Sequence, residues 1–365
     1  MSSAPASPSV AIDARAASEV PAGRGRVVRE LLLALARRDD ALRYELYARS
    51  RWDARLDERF TWHLVGAPDP IWHLRTAWAA RDAGVFLSTN SYLTAWFLRP
   101  PSVVIVYDLV PWIGGARAQR RAALIERATI RPAIRRASAL VCISQATCDD
   151  LLEAFPSAAG KATVAPLAAD ASFFAVPAPE DLAALRAQLD LQRPFVLAVG
   201  TLEPRKNLPR LISAYARLPA GVRAAHDLVI VGPAGWEMED TLRAAQLGGD
   251  VRILGHVSDT QLALLLAACE VFAYPSLYEG FGLPVLEAMA AGAAVVTSGI
   301  SSLPEVGGDA VVYVDPHDES SIAAGLLGLL DDPARRAQLG ERARERAGTF
   351  SWDRFAATVL AACGH

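Results

Sequence analysis

The sequence predicts an α/β protein with two doubly wound parallel sheets, and three observations predict this fold class. Short apolar runs alternate with helical patterns along the chain, which is typical of parallel strands joined by crossover helices. The runs are apolar throughout, as in strands that are covered on both faces. The length of 365 residues suits two domains of ordinary size.

The second half of the chain shows the clearer alternation. Its predicted strands are 195–200, 228–232, 251–255, 271–275, 294–298 and 311–314. Its predicted helices are 208–218, 237–246, 259–268, 284–291 and 319–330. We expect these elements to form one domain over residues 190–345.

The first half repeats the pattern less regularly, and we expect a domain over residues 1–180. Its predicted strands are 10–14, 44–48, 85–88, 103–107, 140–143 and 163–166. Its predicted helices are 26–36, 116–136 and 146–155. The prolines at 177, 179 and 194 indicate a linker with one short helix over 174–194.

The last residues, 346–365, form a separate segment in this interpretation. Trp352, Phe355 and Leu360 lie on one face of a short predicted helix. Because a helix of this length is marginal alone, it needs a surface on which to dock.

Composition excludes several classes of protein. The chain has 37 basic and 40 acidic residues, a net charge of −3, which argues against a nucleic-acid binder. The four cysteines are widely spaced and the histidines show no ligand spacing, so neither a disulfide framework nor a metal site is expected. The sequence shows no apolar run of membrane-spanning length, and residues 1–8 do not resemble a signal peptide. We therefore expect a cytoplasmic protein.

The segment 275–292 carries the strongest signal. It follows a predicted strand, passes through Glu279-Gly-Phe-Gly-Leu-Pro284 and enters a helix that Gly292 ends. Its loop therefore lies at the carboxyl edge of the sheet, where open α/β sheets bind ligands. Glu279 lies on this loop and Glu287 lies one turn into the helix. The alternative is a capped helix start with incidental carboxylates.

The segment 199–208 has the same placement between a strand and a helix. Arg205 and Lys206 are adjacent cations at a helix start, where the helix dipole favours anions. A bound diphosphate between them would explain this arrangement. Lys206 is one of only two lysines in the chain, which suggests that arginine would not serve there. A solvated basic turn is the alternative.

These two segments together resemble the retaining glycosyltransferases of family 4, a large group that uses nucleotide sugars such as GDP-mannose. Further similarities lie at 22–32, 231–236, 254–257, 302–306, 314–316 and 351–355. The resemblance implies the GT-B fold, in which two Rossmann-like domains face each other across a cleft. It implies that the domain over 1–180 binds the acceptor and that the domain over 190–345 binds the nucleotide sugar. It also implies that the last helix crosses back to the first domain.

The resemblance implies a role for each matching residue. Arg205 and Lys206 would neutralise the diphosphate leaving group, Glu279 would bind hydroxyl groups of the donor sugar, and Glu287 would hold the ribose. Gly25 would let the backbone approach the diphosphate closely, because glycine has no Cβ. The further residues expected to bind the donor are Gly200, Thr201, His256, Val257, Gly280, Phe281, Gly282 and Leu283.

One position departs from the family pattern. Where members often have His-Asp after a strand of the first domain, this chain has Tyr107-Asp108. Tyrosine donates hydrogen bonds but is a poor base at neutral pH. We expect Asp108 to take the polar catalytic role, with a strand-end carboxylate bonded to nearby amides as the alternative. Ser144 either points into the cleft or caps a helix.

The first 112 residues hold six of the eight tryptophans, interleaved with arginines. One interpretation is a surface for the acceptor or for the inner face of a membrane. The other is core tryptophan beside solvated arginine.

The sequence thus predicts a metal-independent hexosyltransferase, with mannose as the first choice of sugar. A nucleotide diphosphate sugar would be the donor, a glycan or lipid-linked oligosaccharide the acceptor, and the anomeric configuration would be retained. Alternatives are a non-catalytic sugar-nucleotide-binding protein and a sugar-nucleotide epimerase or glycogen-type synthase of the same fold. An epimerase needs additional acid and base carboxylates, for which the sequence shows no cluster.

Overall fold

The structure is a computed structural model that describes residues 9–20, 23–113, 120–248 and 250–365, with only the backbone described at 120–122, 247 and 248. The chain divides into two compact units. The first contains the described residues up to Ile113, residues 120–167 and Ser351–His365, and the second contains Ala168–Phe350. Residues 1–8, for which a signal peptide was not expected, lie outside the described part.

A seven-stranded parallel sheet forms the first unit. Its strands are β1 (Ser9–Asp13), β2 (Arg43–Ala48), β3 (Phe60–Leu64), β4 (Val85–Ser88), β5 (Ser102–Val106), β6 (Ala139–Cys142) and β7 (Ala162–Val164). They lie in the order β3-β2-β1-β4-β5-β6-β7. Since the strand order reverses beside β1, the sheet is doubly wound as predicted.

Five helices of the first unit cover this sheet. They are α1 (Arg15–Glu19), α2 (Arg24–Ala36), α3 (Ile71–Ala79), α4 (Arg120–Arg136) and α5 (Gln145–Ala154). Single 3-10 turns lie at Thr94–Trp96, Val110–Trp112 and Pro156–Ala158. Of the predicted helix 116–136, residues 116–119 lie outside the described part.

Three elements of the first unit were not predicted from the sequence: the five-residue helix α1, the strand β3 and the helix α3. β3 is an edge strand in which only Phe60 is buried, so it lacks the continuous apolar run that identifies the inner strands. α3 buries Trp72 completely but exposes Ile71, Leu74 and Trp78. Its apolar residues therefore do not form a single buried stripe, and helical periodicity is hard to recognise.

The second unit is built on a six-stranded parallel sheet. Its strands are β8 (Phe195–Val199), β9 (Asp227–Val231), β10 (Val251–Gly255), β11 (Val271–Tyr274), β12 (Val295–Ser298) and β13 (Val312–Val314). They lie in the order β10-β9-β8-β11-β12-β13. All six were predicted. The inner strands β8, β9, β11 and β12 are buried on both faces, as continuous apolar runs indicate, whereas the edge strands β10 and β13 are partly exposed.

Helices pack on both sides of the second sheet. They are α6 (Pro179–Gln188), α7 (Leu208–Ala216), α8 (Ala220–Ala225), α9 (Glu239–Gly248), α10 (Asp259–Ala268), α11 (Leu283–Ala290), α12 (Leu303–Gly307), α13 (Glu319–Leu330) and α14 (Pro333–Ala347). The short helices α8 and α12 and the arginine-rich α14 were not predicted. The predicted linker helix within 174–194 is α6.

The final helix, α15 (Trp352–Ala362), packs against α2 and β6 of the first unit. Trp352, Phe355 and Leu360 are buried there, as the sequence predicts. Arg37 and Asp353 add an ion pair of 2.7 Å. The predicted crossing of the last helix back to the first domain is therefore confirmed.

No helix in the described ranges has the length and apolar character needed to span a bilayer.

Candidate functional site

The loops that follow three strands of the second sheet, β8, β10 and β11, share one edge, because these strands are parallel. Gly200 and Thr201 follow β8, His256 follows β10 and the loop from Pro275 follows β11. This is the edge at which the sequence places the donor-binding residues. Gly200 lies against the side chain of Lys206, so the β8 loop and the cations after it are in contact.

The segment between β8 and α7 turns sharply so that both cations face the β11 loop. Pro204–Lys206 form a 3-10 turn, and Asn207 then adopts a left-handed conformation with φ 59°. The amide of Asn207 is buried and donates to the carbonyls of Pro275 and Pro316, at 2.9 and 2.7 Å. The buried amide thus anchors the end of this turn to the loop after β11.

Glu279 joins the two predicted segments. Its Oε2 lies 2.6 Å from Nη1 of Arg205, and its Oε1 lies 2.7 Å from Nζ of Lys206. Ser276 also donates to Oε1, and Nζ of Lys206 donates to the hydroxyl of Tyr274. The side chain of Glu279 is only 8% exposed. The structure therefore brings Arg205, Lys206 and Glu279 into one buried cluster, which we call the cation–Glu279 cluster.

The pKa values in this cluster follow from burial and charge. Burial alone would raise the pKa of Glu279, but the charges of Arg205 and Lys206 outweigh it and lower that pKa to about 2. Burial would lower the pKa of Arg205, yet Glu279 and Glu203 raise it above its ordinary value. Burial and the Arg205 charge lower the pKa of Lys206. Glu279 and Arg205 are therefore ionised at neutral pH.

The loop from Glu279 to α11 depends on a glycine. Gly282 has φ 96°, and a Cβ there would lie 2.7 Å from Cδ2 of Leu303. The backbone of Glu279 is fixed on both sides, since its N–H donates to Ser301 at 3.0 Å and its carbonyl accepts from Ser302 at 2.9 Å. This loop is thus held rigidly at the N-terminus of α11, where a helix favours an anion.

The other predicted donor residues lie at the same edge with different exposure. Glu287 is buried on α11 and Val257 is buried after β10, whereas His256 is exposed. Phe281 is buried and packs edge to face on Phe350, with ring centroids 6.0 Å apart. These placements agree with the predicted roles but do not test them.

Sequence reasoning missed three residues that contact the cation–Glu279 cluster: Glu203, Tyr274 and Ser276. Glu203 pairs with Arg205 at 2.7 Å. Tyr274 is the last residue of β11, and Ser276 follows it in the recognised segment. All three lie close to the carboxyl end of a strand, which was the only sequence signal for them. The fold shows that they contact the cations or Glu279.

In the first unit, Tyr107 and Asp108 follow β5 at the carboxyl edge of its sheet. Tyr107 is buried, its hydroxyl has no hydrogen-bond partner in the described part of the chain, and the Arg24 guanidinium lies 5.1 Å from its ring centre. Burial raises the pKa of Tyr107 further above neutrality. Tyr107 therefore does not serve as a base. Oδ1 of Asp108 accepts a hydrogen bond from the N–H of Val110 at 3.3 Å. This bond matches the alternative interpretation of Asp108 as a strand-end carboxylate bonded to nearby amides.

Gly25 is explained by packing within the first unit. It is the second residue of α2 rather than part of the loop before it. A Cβ at Gly25 would lie 1.8 Å from the carbonyl oxygen of Val20. The close approach of the Val20 backbone therefore by itself requires a glycine here, and the role of Gly25 at the diphosphate stays a prediction.

Ser144 caps a helix, as one of its two interpretations proposed. Its Oγ accepts a hydrogen bond from the N–H of Thr147 at 3.0 Å at the start of α5.

The described residues contain no group of three or more His, Cys, Asp or Glu side chains that could hold a metal ion.

The cation–Glu279 cluster has the properties of an anion and sugar site. Its two cations are held in place by one carboxylate, beside a helix N-terminus, so little reorganisation accompanies binding. A carboxylate offers about four acceptor positions, and Glu279 is bonded to Arg205, Lys206, Ser276 and Tyr274 here. These contacts hold the carboxylate in a fixed orientation.

Comparisons with known proteins agree with this chemistry. The profile of the family described as "Glycosyl transferases group 1" matches residues 184–346. O-antigen chain mannosyltransferase B of Escherichia coli is 32% identical over 284 residues, which cover 76% of this chain and 74% of that protein. The serotype-specific mannosyltransferase WbdA of Escherichia coli is 34% identical over 223 residues, 60% of this chain but 27% of that protein.

Among solved structures, Anabaena HepE in complex with UDP-glucose superposes with a TM-score of 0.77 at 19% identity, covering 97% of this chain and 98% of that chain. The likeness confirms the predicted fold of two Rossmann-like domains. The match to O-antigen chain mannosyltransferase B, at 32% identity and over 74% of that protein, shows that the chain belongs to the group 1 glycosyltransferases.

Proposed function

We propose that this glycosyltransferase moves mannose from a nucleoside diphosphate mannose to a glycan or lipid-linked acceptor, with retention of the anomeric configuration and without a metal. The cation–Glu279 cluster carries the proposal, because it offers an anion two preorganised cations and offers a sugar a fixed carboxylate. The names of the two relatives support mannose as the sugar. The UDP-glucose bound to Anabaena HepE supports a nucleotide sugar as donor.

Catalysis in this proposal rests on stabilising the leaving group. Arg205 and Lys206 would take up the negative charge that develops on the diphosphate as the glycosidic bond breaks. The departing phosphate would accept the proton of the acceptor hydroxyl on the same face of the sugar. No strong protein base is then required, which fits the replacement of histidine by Tyr107.

A thermal-shift screen tests the donor directly. The protein is heated with GDP, UDP and ADP sugars, and the donor is the one that raises the melting temperature most at equal concentration. We expect a mannose nucleotide to give the largest shift and to release its nucleoside diphosphate slowly without acceptor. Product analysis by NMR then shows the anomeric configuration. A larger shift with a glucose nucleotide would contradict the choice of mannose.

The acceptor part of the proposal includes contact with the cytoplasmic face of a membrane. Large apolar side chains are exposed on two helices of the first unit: Ile71, Leu74 and Trp78 on α3, and Leu124 and Ile125 on α4. Both helices pack against the 3-10 turn Thr94–Trp96. Of the six clustered tryptophans, Trp72 is buried, as in the core interpretation, and Trp78 is 70% exposed, which supports the proposed surface.

Charge favours an anionic lipid surface as the partner of these helices. Exposed arginines accompany the apolar residues, namely Arg75, Arg81, Arg131, Arg135 and Arg136. Arg81 also lies 4.5 Å from the ring centre of Trp78. Interfacial tryptophan and neighbouring cations are a typical combination for peripheral membrane binding.

Flotation with phosphatidylglycerol vesicles tests this contact. We expect binding at low salt, loss at high salt, and weaker binding after Trp78→Ser. The matched control is Val176→Ser, which changes an exposed apolar residue of the second unit. Absence of flotation at every ionic strength would remove the membrane contact.

A further inference from the structure

A second group of charged and aromatic side chains lies at the carboxyl edge of the first sheet. Arg24 begins α2, Tyr92 follows β4, and Tyr107 and Asp108 follow β5. Glu126 lies in the N-terminal half of α4, the helix after β5. Arg24 interacts electrostatically with all four of the others. We call these five residues the Arg24 cluster.

Two polar atoms of the Arg24 cluster are buried without a hydrogen-bond partner among the described residues. Neither the hydroxyl of Tyr107 nor Oε1 of Glu126 makes a hydrogen bond to the part of the chain that the structure describes. Tyr107 is only 7% exposed. A buried polar atom without a partner is costly, and in a native protein it commonly marks a place where a ligand or water binds.

Glu126 differs from Glu279 in its electrostatic balance. Burial raises the pKa of Glu126 to about 7, the negative charge of Asp108 adds to this, and Arg24 only partly opposes it. Glu279, which two cations contact, shifts in the opposite direction. Glu126 is therefore not a satisfied structural ion pair, and it changes charge near neutral pH.

The elements described as packing against α4 bring no further charged side chain to Glu126. Besides β5, α4 packs against the 3-10 turns Thr94–Trp96, Val110–Trp112 and Pro156–Ala158, whose residues are all uncharged. On α4 itself, Arg127 donates to the carbonyl of Pro111 at 3.0 Å. Among the described side chains, Arg24 and Asp108 thus set the charge around Glu126.

We propose that the Arg24 cluster binds a pyranose of the acceptor, with the ionised carboxylate of Glu126 accepting a hydrogen bond from one of its hydroxyl groups. This inference rests on the proposed transferase activity and assigns one of its binding residues. Carboxylates, a guanidinium and tyrosine rings together match the alternating hydroxyls and apolar patches of a sugar. A protonated Glu126 would lose most of its capacity to accept a hydrogen bond from the sugar hydroxyl. The kcat/KM for the acceptor sugar should therefore increase with pH.

The test uses the full-length enzyme, the donor chosen by thermal shift, and methyl α-mannoside as the acceptor probe. For the wild type, kcat/KM for the mannoside should rise about tenfold between pH 6 and 8, because it reports a group of pKa near 7 in the free enzyme. Glu126→Gln should abolish this rise and lower kcat/KM at pH 8 by about ten- to a hundredfold. Glu126→Asp should keep the rise.

Donor hydrolysis without acceptor separates this role from a structural one. It should be unchanged in Glu126→Gln, and the exposed control Glu153→Gln should behave as wild type in both assays. The inference is overturned if Glu126→Gln keeps the pH rise, if it lowers donor hydrolysis by the same factor, or if an active wild type does not use the mannoside. A wild type that neither hydrolyses nor transfers any donor would instead refute the proposed function.

Discussion

At the scale of single residues, the same type of side chain has opposite properties in the two units. Glu279 is fully paired and strongly acidic, whereas Glu126 has a raised pKa and an oxygen without a hydrogen-bond partner among the described residues. Two cations contact Glu279, and no described side chain forms an ion pair with Glu126. Local charge, rather than residue type, therefore assigns each carboxylate its chemistry.

Lys206→Ala should lower turnover by about 10²- to 10³-fold, the usual cost of losing one preorganised group that stabilises charge. Glu279 keeps its contact with Arg205, so the fold should persist. Steady-state kinetics and a melting curve measure both effects. Lys161→Ala is the control, because it changes the only other lysine of the chain. Turnover within about threefold of wild type would remove Lys206 from the leaving-group site.

Glu279 and Glu287 should affect ligands differently. Glu279→Gln removes a sugar contact but releases two cations for the diphosphate, so the nucleotide sugar should lose more affinity than the bare nucleotide. Glu287→Gln should weaken both alike, by about ten- to a hundredfold. Calorimetric titration of each variant with both ligands gives the four constants. Equal losses for Glu279→Gln would argue against its sugar role.

The acidity of Glu279 makes stability depend on pH. Its pKa falls from an ordinary 4.5 to about 2 in the folded protein, so between these values the unfolded state binds more protons. This contribution to the free energy of unfolding is complete above pH 4.5 and is lost as the pH falls towards 2. Urea unfolding across this range should show a shallower pH dependence for Glu279→Gln than for wild type. The exposed control Glu341→Gln should retain the wild-type slope.

At the scale of elements, short turns between strands and helices create both candidate sites. The 3-10 turn Pro204–Lys206 and the loop before α11 contribute opposite charges to one cluster. Each turn depends on a left-handed residue, Asn207 in the first and Gly282 in the second. Most residues pay about 1 kcal/mol or more for that conformation, so these positions constrain the sequence.

Gly282→Ala should destabilise the protein by about 1–3 kcal/mol, since alanine would be strained at φ 96° and would approach Leu303 too closely. Loss of donor affinity should accompany it, because Glu279 lies on the same loop. Urea unfolding and calorimetry measure the two effects. Gly221→Ala is the control: it lies within α8 with open space around it, and alanine is the better helix former. Equal stabilities of the two variants would contradict this account.

At the scale of the whole molecule, two parallel sheets of similar size each place charged side chains at a carboxyl edge. The second unit carries the cation–Glu279 cluster, and the first carries the Arg24 cluster. Arg205 and Lys206 of the second unit are the cations that we propose act on the diphosphate in place of a metal ion.

Activity should therefore survive an excess of EDTA, because the cations proposed to stabilise the leaving group belong to the protein. Transfer is measured before and after chelation, and again after Mg²⁺ or Mn²⁺ is added back. Complete loss with EDTA that either metal restores would contradict the proposed mechanism.

The sequence by itself determined the fold class, the six strands of the second unit and the two segments that carry Arg205, Lys206, Glu279 and Glu287. Apolar strands buried on both faces and turn residues at helix starts leave signals within short stretches of chain. The edge strand β3 and helix α3 left no such signal, since each exposes much of its apolar surface.

Only the tertiary structure decided which charges meet. Lys206 and Glu279 are 73 positions apart in the chain, and Arg24 and Glu126 are brought together from different helices. The packing of Gly25 on Val20 likewise depends on how two helices approach each other. Ion pairs, raised or lowered pKa values and close backbone contacts arise between segments distant in sequence, so no local pattern encodes them.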